Sequence, residues 1–102
     1  MQKFVVLYPP QPDMEAFKAY YVETHVPLAA KIPGLKGMRY SFDVQMLAGD
    51  TPYACVFEAD FADAAALGAG VGSPEGQAVA GDVPNFAKVP PTILQHATTE
   101  AA

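Results

Sequence analysis

Tryptophan is absent from the chain and cysteine occurs once, at Cys55. A single thiol cannot close an intramolecular disulfide, so this is not a stapled scaffold of the secreted type. Basic side chains are also scarce. Six Lys and Arg stand against eleven Asp and Glu, a formal net charge of −5. No basic stripe is left to neutralise phosphates, which argues against a nucleic-acid partner. Long apolar runs are missing too. The N-terminal stretch MQKFVVLYPP carries only Phe4–Tyr8 before Pro9-Pro10, too little for a signal peptide or a membrane span. The expectation is a cytoplasmic protein with no membrane partner.

What is present is one domain's worth of chain. Of 102 residues, 51% are hydrophobic, but eighteen of these are alanine. The 34 larger apolar residues suffice for one modest two-layer core and leave little margin for a lone monomer. Self-association is therefore expected.

Lys3–Tyr8 is β-branched and aromatic and stops at Pro9-Pro10, which predicts a first strand. Asp13 is a candidate N-cap for a helix reaching about Ala30. Its apolar face carries Met14, Phe17, Tyr21, His25 and Leu28, with Pro33-Gly34 as the stop. Pro27 has no N–H for the carbonyl of Glu23, which predicts a kink near Glu23–His25. Met38–Met46 alternates apolar and polar residues with period two, the pattern of a second strand, with Met38, Tyr40, Phe42, Val44 and Met46 on its helix-facing side. Ala48–Pro52 is a turn, and Tyr53–Phe61 is a third strand, antiparallel to the second. An alanine-rich helical stretch from Asp63 fails at Gly68, Gly70 and Gly72. Ser73-Pro74-Glu75 restarts a helix to about Asp82, followed by a turn at Val83-Pro84-Asn85. The last strand lies near Thr92–Gln95, after Pro90-Pro91.

Strand, helix, strand, strand, helix, strand is the ferredoxin-like βαββαβ order, an α+β fold with a four-stranded antiparallel sheet. Both helical regions cover one sheet face. The other carries Arg39, Ser41, Asp43, Gln45 and Glu58 but also Ala54 and Val56. Such a mixed face suits a homodimer in which two sheets pack as an α+β barrel. The domain is expected over 1–96, with 97–102 as a flexible tail.

Three blocks of the chain resemble the EthD family. They are Tyr20-Tyr21-x-x-x-His25-x-Pro27-Leu28 with Ile32-Pro33-Gly34-Leu35; Pro52-Tyr53 with Glu58 and Phe61; and Ser73-Pro74-Glu75-Gly76-Gln77 through Asp82-Val83-Pro84-Asn85-Phe86. The resemblance runs over about residues 3–96. It implies a homodimeric α+β barrel. It also implies a link to bacterial ethyl tert-butyl ether degradation, where the eponymous protein works beside a haem-thiolate monooxygenase system. The wider fold superfamily holds cofactor-free monooxygenases, muconolactone isomerases, haem-degrading enzymes and stress proteins, so fold selects no reaction. Ala87–Pro91 departs from the family's pattern, which would place a glycine-containing turn before the last strand.

His25 is the first candidate for chemistry, since it matches the His-x-Pro-Leu motif and imidazole titrates near neutrality. Tyr40 is its expected phenolic partner across the layers. The bland alternative is a core histidine satisfying the kinked backbone. Tyr8, Phe17, Tyr20, Tyr21 and Tyr53 are candidates for lining an apolar pocket with a few hydroxyl handles, or equally for core and interface. Asp82 and Asn85 read as turn formers bonding backbone amides, with a pocket-rim role as the second choice. Arg39 and Glu58 are placed to pair across the second and third strands. Cys55 reads as buried and inert. With His25 and His96 the only histidines, no ligand-spaced metal cluster is expected. No cofactor is expected either: no basic patch for haem propionates accompanies His25. The combined expectation is a protein that binds or transforms a small hydrophobic or aromatic molecule in a degradation or biosynthetic pathway. The chemistry would be isomerisation, dehydration or cofactor-free oxygenation. The alternative is a non-catalytic, ligand-binding or stress-associated barrel with His25 structural.

Overall fold

The computed structural model describes residues 1–101. Strand β1 (Gln2–Tyr8) leads into helix α1 (Met14–Tyr20), which continues through a π-helical turn (Tyr21–His25) into the short α2 (Val26–Ala29). Then come β2 (Gly37–Ser41), β3 (Cys55–Phe61), α3 (Ala64–Gly72), α4 (Pro74–Phe86) and β4 (Thr92–Ala97). The strands form one antiparallel sheet in the order β2-β3-β1-β4. This is the ferredoxin-like α+β arrangement. No helix among the described residues is long and apolar enough to cross a membrane.

Side-chain oxygens cap the helices where expected. Asp13 Oδ1 accepts from the Ala16 N–H at 3.1 Å, and Ser73 Oγ accepts from the Gly76 N–H at 3.0 Å. Asp63 does the same for Ala66 at 2.8 Å, starting α3. These caps satisfy N–H groups that the first helical turn leaves without partners.

The disruption expected from Pro27 takes the form of the π-helical turn, closed by the Val26 N–H on the Tyr21 carbonyl. One extra residue in the turn shifts the phase of the helix. The inward face becomes Phe17, Tyr21, His25 and Ala29, while Leu28, expected on that face, is only half-buried.

The second strand is shorter than its alternation predicts. β2 ends at Ser41, paired with Val56, and residues 42–54 form a long connection instead of a tight hairpin. Phe42 still turns inward and meets Phe17 and Tyr21 edge-on and Tyr40 at a tilt. Beyond it Val44 and Met46 find no partner strand, so their alternation has no ladder to join. The third strand shows the clean alternation: Cys55, Phe57, Ala59 and Phe61 are buried and the residues between them are half-buried.

The turn expected at Val83-Pro84-Asn85 is instead the last turn of α4, which runs to Phe86 with Pro84 inside it. The Ala87 N–H reaches the Val83 carbonyl at 2.9 Å. This continuation swings Phe86 into the core, where it meets Tyr8, Phe17, Tyr20, Tyr21 and His25. β4 begins directly after Pro90-Pro91 and extends through Ala97, and Thr98 donates its N–H to the Met1 carbonyl at 3.0 Å. Strand pairing thus enters the segment expected as a tail; Ala102 lies outside the described residues.

Buried Gln11 ties the loop before α1 to the loop after α4. Its amide nitrogen donates to the carbonyls of Pro9 (2.9 Å) and Val89 (3.0 Å). Its amide oxygen accepts from Lys88 (2.8 Å) and Val89 (2.9 Å). Gly76 is a place where glycine is required: a Cβ there would lie 2.3 Å from the Val71 carbonyl oxygen and 2.4 Å from that of Gly70.

All helices cover one sheet face. The other presents Lys3, Val5 and Leu7 of β1, Val56, Glu58 and Asp60 of β3, and Thr92, Leu94 and His96 of β4, by strand register. The Arg39–Glu58 pair is present at 3.3 Å, and Asp60 joins it to Lys3. Hydrogen bonds from Arg39 and Lys3 hold the Asp60 carboxyl down at about 2.

Candidate functional site

A cavity of about 170 Å³ lies between α4 and the β1–β4 side of the sheet. An apolar cavity of roughly 150 Å³ already accommodates a benzene ring. Its walls are aliphatic and aromatic, among them Phe4, Val6, Phe57, Val79 and Val83, with Ile93 of β4 exposed beside it. The cavity is also lined by His25, Tyr8 and Tyr21, the lining residues whose side chains carry nitrogen or oxygen.

His25 ends the π-helical turn and is 5% exposed. Its Nδ1 lies 2.9 Å from Asp82 Oδ2. Asp82, 8% exposed on α4, accepts at its other oxygen from the Tyr20 hydroxyl (2.6 Å) and the Asn85 amide (3.1 Å). The Asp82 carboxyl is held below its ordinary value and is therefore ionised at neutral pH, and an ionised carboxylate only accepts. That assigns the proton of a neutral His25 to Nδ1 and leaves the Nε2 lone pair free. Nε2 bonds to no protein group, and no sealed side-chain nitrogen or oxygen among the described residues lacks a partner. Nε2 therefore opens on space, and the space beside His25 is the cavity.

The electrostatics agree. Burial pushes His25 below its ordinary value, and the bond and charge of Asp82 only partly oppose this. The imidazole is neutral at neutral pH, in the form of a base. For Asp82, burial raises the pKa, but the hydrogen bonds from Tyr20, His25 and Asn85 together outweigh it and hold the carboxyl below its ordinary value. The bond to Asp82 raises the pKa of Tyr20 and keeps its proton on oxygen. A neutral imidazole backed by a fixed carboxylate can take a proton from a molecule in the cavity, and Asp82 stabilises the imidazolium that results.

The other expected site residues fall in different places. Tyr40 does not reach the cavity. It lies on edge strand β2, 40% exposed, packed edge-on against Tyr21 and tilted against Phe42. The group that meets His25 is Asp82, whose role is not that of a turn former. Asn85 is exposed, lies outside the cavity lining, and donates to Asp82 at 3.1 Å. Phe17 is core, stacked on Tyr21 at 5.7 Å and outside the cavity lining. Tyr53 precedes β3, half-buried and away from the cavity. Tyr8 and Tyr21 do line it. Burial, chiefly, raises both phenols well above their ordinary value, so both keep their protons. Burial also pushes the Cys55 thiol up to about 12, which leaves it a poor nucleophile.

Two partners were hidden from sequence reasoning. Tyr20 and His25 are five residues apart, which in a regular α-helix places them 140° apart around the axis. The π-helical turn brings both to Asp82. The spacing of Asp82 and Asn85, three apart on one helix, was a legible signal of a side-chain pair. The 57-residue separation of His25 and Asp82 was not.

A ferredoxin-like sheet with a buried His–Asp pair beside an apolar cavity defines a small α+β domain. The EthD domain profile matches residues 9–90, and the chain belongs to the EthD family. It is 35% identical over 95 residues, 92% of this chain and 91% of the relative, to an uncharacterised 11.0 kDa protein of the thcB–thcC intergenic region of Rhodococcus erythropolis. An ethyl tert-butyl ether D family protein of Bacillus halodurans superposes with a TM-score of 0.88 at 30% identity, covering 97% of this chain and 99% of that one. A dimeric ferredoxin-like protein of unknown function from Thermobifida fusca shares the fold, with a TM-score of 0.72 at 18% identity over 95% and 90% of the two chains.

Proposed function

We propose that the protein is a homodimeric α+β barrel that binds a small hydrophobic molecule between its helices and sheet and transfers a proton on it. The observation that carries the reading is the free Nε2 of buried His25, opening on the apolar cavity with Nδ1 held by Asp82. His25 is the acid/base, and Asp82 orients it and stabilises the imidazolium formed on proton transfer; Tyr40, expected as the phenolic partner, has no part in it. Isomerisation and dehydration both begin with such a transfer.

The dimer reading rests on the uncovered sheet face. Val5, Leu7, Val56 and Leu94 make an apolar centre there, flanked by the Lys3–Asp60–Arg39–Glu58 ion network. The Thermobifida relative is described as dimeric, which fits this face as the shared one.

The test uses 1-indanone, a compact two-ring ketone with acidic C–H bonds. In D2O the wild type should accelerate exchange of the hydrogens next to the carbonyl, followed by proton NMR, and His25→Gln should abolish that acceleration. Exchange indifferent to His25→Gln, with the ketone bound, would remove His25 from proton transfer. A monomer by light scattering at micromolar concentration would remove the dimer.

A further inference from the structure

We infer that Tyr8 is the second working group of this cavity: its hydroxyl donates to an oxygen of the bound molecule while His25 Nε2 faces the acidic hydrogen beside it. The ligand class follows as neutral one- or two-ring compounds that carry a carbonyl-type oxygen. The inference rests on the reading of His25 as a proton-transfer group and deepens it.

The argument starts with hydrogen-bond accounting. Tyr8 ends β1 and is 2% exposed. A tyrosine buried this deeply normally ties up its hydroxyl. The hydroxyl of neighbouring Tyr20 follows that rule and donates to Asp82, while that of Tyr21 stands beside the Cys55 thiol. The Tyr8 hydroxyl makes no bond to a protein group, yet it is not a sealed unpartnered atom, since none exists among the described residues. It must reach open space, and Tyr8 lines the same cavity as His25. Its ring packs on Tyr21 (5.7 Å) and Phe86 (5.8 Å), and both of those rings also touch the His25 ring, at 5.5 and 4.5 Å. A phenol donor and an imidazole acceptor therefore share a small cavity whose walls are otherwise apolar.

The chemistry balances without a co-reactant. His25 Nε2 takes a proton from the carbon next to the carbonyl. The C–H electron pair becomes a C=C bond as the C=O π pair moves onto oxygen, giving an enolate. The Tyr8 O–H, kept protonated by burial, donates to that oxygen as its charge grows. The imidazolium returns its proton to carbon or oxygen, and the protein ends as it began.

The test compares 1-indanone with indane, which has the same rings and no oxygen. Wild type should bind the ketone about three- to tenfold more tightly than indane, the worth of one hydrogen bond. The carbonyl stretch of bound, 13C-labelled 1-indanone should fall below its position in hexane. Tyr8→Phe should erase the ketone preference and restore the hexane-like stretch, with indane affinity unchanged. A hexane-like stretch in the wild type overturns the inference without recourse to any variant. So does a Tyr8→Phe protein that keeps the preference. If indane binds and exchange depends on His25 while Tyr8→Phe changes nothing, the role of Tyr8 falls alone. If neither compound binds, the proton-transfer reading falls with it.

Discussion

Asp82→Asn is the substitution that most directly probes the His25 site. Asparagine keeps the shape of aspartate and removes its charge. Two arrangements are open to it. If the amide oxygen faces His25, the Tyr20 hydroxyl and the Asn85 amide must turn to accept. If the NH2 faces His25, it meets the Nδ1–H and drives the ring to its other tautomer, losing the free Nε2 lone pair. In both, the charge that supports the imidazolium is gone. A hydrogen bond to a charged group contributes about 1.5–3 kcal/mol and a neutral one about 0.5–1.5 kcal/mol. The difference is about 1–1.5 kcal/mol for each well-buried bond. The buried His25 bond (2.9 Å) should count in full, and the outer bonds from Tyr20 and Asn85 for little. The expected destabilisation is therefore about 1–1.5 kcal/mol, or roughly 5–10 °C in Tm for a domain of this size. Exchange at 1-indanone should slow by about tenfold or more, since each 1.4 kcal/mol on a barrier is a factor of ten. The pKa of His25 should fall still lower, because the charge of Asp82 no longer opposes the effect of burial. Calorimetry reads the Tm, and long-range proton–nitrogen NMR of the imidazole reads both tautomer and titration. A His25 that titrates at the same or a higher pH in Asp82→Asn would refute the reasoning, since Asp82 would then not be supporting the imidazolium.

Other consequences are simpler to state. His25 stays neutral where the unfolded chain's imidazole, with its ordinary value of 6.5, is already protonated. The unfolded state then binds more protons, so its share of stability should drain away as pH falls below about 6.5. Urea unfolding of wild type and His25→Gln between pH 5 and 7 should show a steeper acid loss in the wild type; parallel curves would contradict it. Gly76→Ala should unfold the junction of α3 and α4 or cost several kcal/mol, because its Cβ would collide with backbone carbonyls and not with a yielding side chain; a Tm within 2 °C of wild type would refute the geometry. Gln11→Ala removes a side chain that makes four hydrogen bonds and strands buried loop amides, so about 2–3 kcal/mol should be lost in chemical denaturation. Val56→Lys sets a charge within the apolar patch of the uncovered sheet face, and light scattering should then report monomer; an unshifted dimer would place the interface elsewhere.

The chain order alone determined the fold class, because the alternating period of β3, the capped starts at Asp13 and Ser73, and the single domain's length permit few topologies. It located the break in the first helix at the turn before Pro27, since a missing N–H is a local fact. It placed His25 on an inward face for the same local reason. Tertiary structure decided the rest. The alternation of Met38–Met46 was read as one strand, but only the part with a partner in β3 forms a ladder. Pro84 was read as a stop, but its cost is confined to one turn of α4 whose far side buries Phe86. Tyr40 stood on the correct face of its strand, yet at the sheet's edge. Asp82 lay in a legible motif without a legible partner. Periodicity reports which way a side chain points from its own backbone, and that much can be read along one chain. Which carboxylate meets an imidazole 57 residues away, and which hydroxyl is left free beside it, depends on how two helices settle on one sheet.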